Sequence, residues 1–158
     1  MTTDAGSARA SRLVADLRAA AAALVSSLEG IEPERWAHVS GPSGWSVGKD
    51  AAHVAEAAVY HQWIVRRTIG QSVSSRRPAI ERQERTTALT TQQAVDLIRR
   101  RTEDGAALIE TLTDEQLALP TRPVRPRAPT LADVIELVLI GHYDTHRRDI
   151  ERKLSDWQ

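Results

Sequence analysis

The 158-residue sequence contains no cysteine and no phenylalanine. Without cysteine there is no disulfide, no thiolate ligand and no thiol nucleophile, so thiol redox and cysteine-protease chemistry are excluded together. Any bound metal has to be held by His, Asp or Glu. Aromatic residues make up only 4%, which leaves Leu, Val, Ile and Ala to build the core and favours close packing of alanine-rich helices. Neither sign of charge prevails, with 21 Lys and Arg against 21 Asp and Glu. A balanced chain has no overall field to draw it onto a nucleic-acid backbone, so no nucleic-acid partner is expected. No apolar run approaches the ~18 residues a membrane span needs, and no membrane partner is expected either. The opening residues MTTDAGSARASR carry an early acid and lack the basic-then-apolar order of a secretory signal, so the expected location is cytoplasmic.

What is present reads as globular: 41% hydrophobic and 27% charged residues, in a length that suits one domain spanning 1–158. Leu13, Leu17, Leu24 and Leu28 fall near one face of a helix expected over 7–30, which Gly30 ends. After a loop with Pro33 and Pro42, Ser46 is placed to cap a second helix over 46–69, stopped by Gly70. Residues 71–90 lack apolar periodicity and read as a crossover, made basic by Arg76, Arg77, Arg82 and Arg85 following Arg66 and Arg67 at the end of the helix. Thr91 is read as the cap of a third helix over 91–112, with Val95, Ile98, Leu108, Ile109 and Leu112 as its apolar stripe and Gly105 allowing close approach. The proline-rich stretch 120–129 should be extended. Thr130 and Asp133 then form an approximate capping box for a fourth helix over 130–154, buried through Leu131, Val134, Ile135, Val138, Leu139, Ile150 and Leu154. The expected fold is all-α, a four-helix bundle with a long crossover between helices two and three.

The chemistry-bearing feature is His142-Tyr-Asp-Thr-His146. Residues four apart lie about 40° from each other around a helix, so both imidazoles can address one ion. The preceding VIELVLIG is apolar enough to turn this stretch inward, where an imidazole needs a hydrogen-bond partner or a metal to offset burial. His53 shares a face of the second helix with Ala57, Tyr60 and Ile64 and can supply a third ligand. Three neutral imidazoles leave at least one open position on the metal, the pattern of a catalytic site and not of a closed structural one.

Other residues admit two readings. Tyr60, about 20° from the direction of His53, is either a core tyrosine or a donor to metal-bound oxygen. Glu56, one turn after His53, is either a solvated carboxylate or a general base. Asp144 and Asp149 read as structural. His61, about 80° from His53, is awkward as a ligand beside it, and His38 reads as a loop residue. Trp45 reads as a hydrophobic staple ahead of the Ser46 cap, in preference to a ligand-stacking ring.

The run Trp45-Ser-Val-Gly-Lys-Asp-Ala-Ala-His53, together with a His-x-x-x-His in the last helix, resembles the DinB-like superfamily of metal-binding four-helix bundles over nearly the whole chain. The resemblance implies His53, His142 and His146 as ligands of a divalent metal such as zinc, nickel or iron. The superfamily includes bacillithiol- and mycothiol-dependent S-transferases and a mycothiol-dependent maleylpyruvate isomerase. It therefore suggests a small-molecule substrate, a low-molecular-weight thiol such as mycothiol as cofactor, and a homodimer, since relatives are often dimers. Two functions compete: a metal-dependent enzyme that activates a thiol or water, and a binding or protection protein that sequesters a small molecule or metal without turnover.

Overall fold

A computed structural model describes residues 7–75, 78, 89–121 and 127–157 of the chain. Among the described residues the structure is helical, with two isolated β-bridges and no strand. The helices are α1 (Ala8–Leu28), α2 (Pro33–Ala37), α3 (Val47–Thr68), α4 (Thr91–Glu110), α5 (Asp114–Leu117), α6 (Leu131–Asp133) and α7 (Gly141–Ser155), the last two joined by a π-helical stretch, Val134–Ile140. α1 packs against α4 and α7, and α3 packs against the same two, so the order around the bundle is α1, α4, α3, α7.

Each start has a local cause. The Ser7 hydroxyl accepts from the amides of Arg9 and Ala10, and the Ser46 hydroxyl accepts from Lys49 N–H at 3.1 Å, satisfying donors that the first helical turn leaves open. For α4 the cap is Thr90 and not Thr91. Its hydroxyl accepts from the Gln93 amide at 3.2 Å, while the Gln93 side chain accepts from Thr90 N–H at 2.9 Å. Thr91 lacks this reciprocity because the residue three positions on is Ala94. α3 ends where Gly70 takes φ +76°, and Gln71 and Gly70 N–H return to the carbonyls of Arg66 and Arg67. The left-handed turn explains the glycine.

Leu13, Leu17, Leu24 and Leu28 are all buried, as are Val95, Ile98, Leu108, Ile109 and Leu112 and, from the last helical stretch, Leu131, Val134, Ile135, Val138, Leu139 and Ile150; Leu154 is half-buried. Each such side chain contributes about 1.5–3 kcal/mol relative to exposure. A Cβ at Gly105 would lie 3.3 Å from Leu17 and 3.4 Å from Gln62, so glycine there does permit close approach, and Gln62 bonds across to the Arg101 carbonyl at 2.9 Å.

Two loops differ in how far the expectation can be followed. Most of the 71–90 crossover, including Arg76, Arg77, Arg82 and Arg85, lies outside the described residues, as does 122–126 of the proline-rich stretch. The ends of that second stretch meet: Thr121 N–H reaches Pro129 O at 3.1 Å and Leu131 N–H reaches Leu119 O at 2.9 Å. The segment preceding it, Thr113 to Leu117, is a capped helical turn. No helix among the described residues is long and apolar enough to cross a membrane.

Candidate metal site

α3 and α7 face each other, and each carries part of one histidine cluster. The π-helical stretch comes immediately before α7, and Gly141 N–H reaches back five residues to Glu136 O. Each π turn takes more residues than an α turn, so α7 enters rotated relative to α6. The result puts Tyr143 into the core, 3.2 Å from Thr102 Oγ1 on α4, and leaves His142 and His146 half-buried.

His53, His142 and His146 each offer a ring nitrogen, and the three nitrogens lie within 4.8 Å of one another. The ring centroids are 5.0 Å apart for His53 with either partner and 4.5 Å apart for the α7 pair. Among the described residues this group could hold a metal ion. Nε2 of His142 is buried without a hydrogen-bond partner. A lone pair left unused in the interior is costly unless something accepts it, and a metal does so. Burial, followed by the charge of His146, pushes the His53 pKa down to about 4; burial and then the charges of its histidine neighbours push His142 lower still. Neutral imidazole is the form that ligates.

Sequence reasoning did not single out Asp50 and Lys153. Asp50 lies on the turn of α3 before His53, and its Oδ1 is 3.1 Å from His146 Nδ1. Lys153 lies two turns beyond His146 on α7 and donates to Asp50 Oδ2, to the Trp45 carbonyl at 2.8 Å and to Ser43 Oγ at 3.2 Å. Both residues are buried, each at 1% exposure. Burial alone would raise the Asp50 pKa, but hydrogen bonds from His146 and Lys153 together with their charges outweigh it and hold the carboxyl below its usual range. The signal was present in the spacing, since Asp50 and His53 are i, i+3 and His146 and Lys153 are i, i+7.

Trp45 does not staple the helix start. The position it would pack against is Asp50, which is polar and engaged elsewhere. Its ring instead sits edge-on to His53 at 4.9 Å and parallel to His146 at 6.2 Å, with Lys49 Nζ 4.6 Å over its face. His61 stands outside the three-ligand group but meets His142 edge-on at 5.1 Å; its Nδ1 is buried without a partner, and burial followed by the charge of His53 lowers its pKa to about 4. Tyr60 is half-buried and touches His61 (5.8 Å) and Trp63 (6.0 Å), one ring removed from His142, and Glu56 is half-buried one turn after His53. Asp144 and Asp149 pair with Arg147 and Arg152, and His38 packs on Trp157. A surface groove of about 520 Å³ between α1 and α4, lined by Arg18, Ala22, Val25, Arg99 and Glu103 among others, contains no histidine. Donor chemistry, not concavity, locates the candidate site.

No curated protein and no solved structure matches the chain. A family profile does, over residues 16–150, a span that takes in α3, the histidine cluster and most of α7, and on that match the chain belongs to the DinB superfamily.

Proposed function

We propose that the protein is a divalent-metal-dependent enzyme in which His53, His142 and His146 hold the ion. The observation that carries this reading is the convergence of one ring nitrogen from each of the three histidines within 4.8 Å, beside a buried His142 Nε2 that has no hydrogen-bond partner. Bound there, zinc, nickel or iron would supply a Lewis acid that lowers the pKa of a low-molecular-weight thiol, such as mycothiol, or of water in an open position.

The chain's own groups supply the rest. Three neutral imidazoles bring no charge of their own, so the site keeps the full positive charge of whatever it binds. Trp45 covers one side of His53 and His146 and limits water there. Glu56, on the turn after His53, is the candidate base, and Tyr60 the candidate donor to a bound oxygen or sulfur. The substrate class that suits this set is a small electrophile attacked by the activated thiol. Membership of the DinB superfamily supports the reading, and the resemblance of the Trp45 to His53 run points to thiol transfer.

Metal analysis of protein purified without a histidine tag, followed by a screen of low-molecular-weight thiols against electrophiles, is the direct test. His146→Ala should abolish both tight metal binding and turnover, since a two-imidazole remnant holds a metal poorly. Tyr60→Phe should keep the metal and lower turnover on the order of 10–100-fold. A metal-loaded protein that binds a thiol but turns over nothing across the panel would make it a binding protein.

A further inference from the structure

We propose that Asp50 and Lys153 are positioning residues for His146. Lys153 occupies one oxygen of the Asp50 carboxylate, turns the other to His146 Nδ1, and so directs His146 Nε2 into the histidine cluster. The proposal rests on the metal-site reading above, but its first measurement does not need a metal.

A lysine ammonium has three N–H donors and no acceptor. Here the three acceptors within reach come from three places: the Ser43 hydroxyl, the Trp45 carbonyl and Asp50 Oδ2. With the ammonium saturated, the carboxylate cannot rotate without stripping a buried cation of a partner. Its other oxygen, 3.1 Å from His146 Nδ1, is therefore fixed in direction. A carboxylate only accepts, so the nitrogen facing it must carry the proton, and Nε2 is left with the lone pair that a metal needs. A pair serving only to join two helices would not require that second oxygen to be spent on a histidine. The arrangement also spans both elements of the site, since α3 supplies Asp50 with His53 and α7 supplies Lys153 with His146.

Asp50→Asn separates positioning from simple support because it keeps the size of the side chain. Lys153 can bond only to the amide oxygen, which turns the amide NH2 toward His146 and makes Nδ1 the acceptor. The proton then moves to Nε2, the nitrogen that should face the ion. Nitrogen-15 NMR of the imidazoles in the metal-free protein near pH 8 should find His146 as the Nδ1–H tautomer in the wild type and as the Nε2–H tautomer in Asp50→Asn. Competition against a chromophoric zinc chelator should show zinc bound on the order of 10–100-fold more weakly by the variant. The double variant Asp50→Asn with Lys153→Met, in which the amide is free to present its oxygen, should regain part of that loss and of the Nδ1–H signal.

An Nε2–H tautomer in the wild type overturns the proposal whether or not any variant folds. A folded Asp50→Asn protein that keeps the Nδ1–H tautomer and wild-type zinc affinity overturns it as well. If the wild type shows the Nδ1–H tautomer, and Asp50→Asn reverses it, but zinc does not bind to the wild type, then the positioning stands and the metal reading fails.

Discussion

At the scale of single residues, a glycine at the start of the second long helix lets an indole from α2 approach its backbone closely. Gly48 lies in the first turn of α3, and a Cβ there would fall 2.5 Å from Nε1 and 2.6 Å from Cε2 of Trp36. That indole is buried and donates to the Leu89 carbonyl at 2.9 Å, so it has no free direction in which to retreat. Gly48→Ala should therefore destabilise despite the better helix propensity of alanine. Overpacking costs about 1–3 kcal/mol and the propensity gain offsets up to about 1 kcal/mol. Thermal unfolding should show a midpoint lower by several degrees, and a raised midpoint would show that Trp36 yields freely. In the sequence Gly48 reads only as a tolerated exception inside a helix, because nothing local reveals that an indole from α2 will press on it. The three histidines were legible for the opposite reason: their periodicity is local to each helix, and helix geometry alone brings each ring to a defined face. Asp50 and Lys153 were written in the same periodicity, but a charged pair on two different helices looks like two solvated residues until the helices are packed.

At the scale of elements, helix existence was readable from the apolar spacing, while two boundaries depended on hydrogen bonds that composition does not display. Thr90 and Thr91 are adjacent and equally good as caps, and only the side chain three residues on distinguishes them. Because Thr90 and Gln93 cap each other, Thr90→Ala should cost about 0.5–2 kcal/mol, whereas Thr91→Ala should leave stability near the wild type. Chemical denaturation of the two variants side by side checks this, and equal losses would place the cap elsewhere. The π-helical stretch Val134–Ile140 was not legible, since its run of apolar residues satisfies an α pattern just as well. It matters because it sets the rotation of α7. Tyr143, about 100° round the helix from His142, goes to Thr102 on α4, and His142 and His146 are left for α3. A wide turn just ahead of a cluster is a recurrent way to aim side chains that an uninterrupted helix would misplace.

At the scale of the whole molecule, a bundle that gathers neutral histidines in its interior has a stability that depends on pH, and the sign follows from the direction in which burial moves each ring. His53 and His61 are held down to about 4 by burial first and by a neighbouring histidine charge second, and His142 is lowered by the same causes. In the unfolded chain these rings take up protons near their ordinary value of about 6.5. Below that pH the unfolded state binds protons that the folded state refuses, so the stability that neutral histidines permit is present above about pH 6.5 and is lost as the pH falls toward 4. Each tenfold loss of proton affinity corresponds to about 1.4 kcal/mol, and because the rings feel one another's charge their losses do not add in full. Between pH 7 and pH 5 the metal-free protein should lose roughly 2–5 kcal/mol of unfolding free energy. A carboxylate whose pKa is the same folded and unfolded drops out of this difference, and Asp50, held lower than usual, stays ionised over the window. Urea denaturation of protein stripped with a chelator measures the loss directly. Zinc at pH 7 should add stability that depends on its concentration, and this increment should shrink over the same window as protons compete for the ring nitrogens. A metal-free profile that stays flat from pH 7 to 5 would mean that the rings accept protons inside the fold.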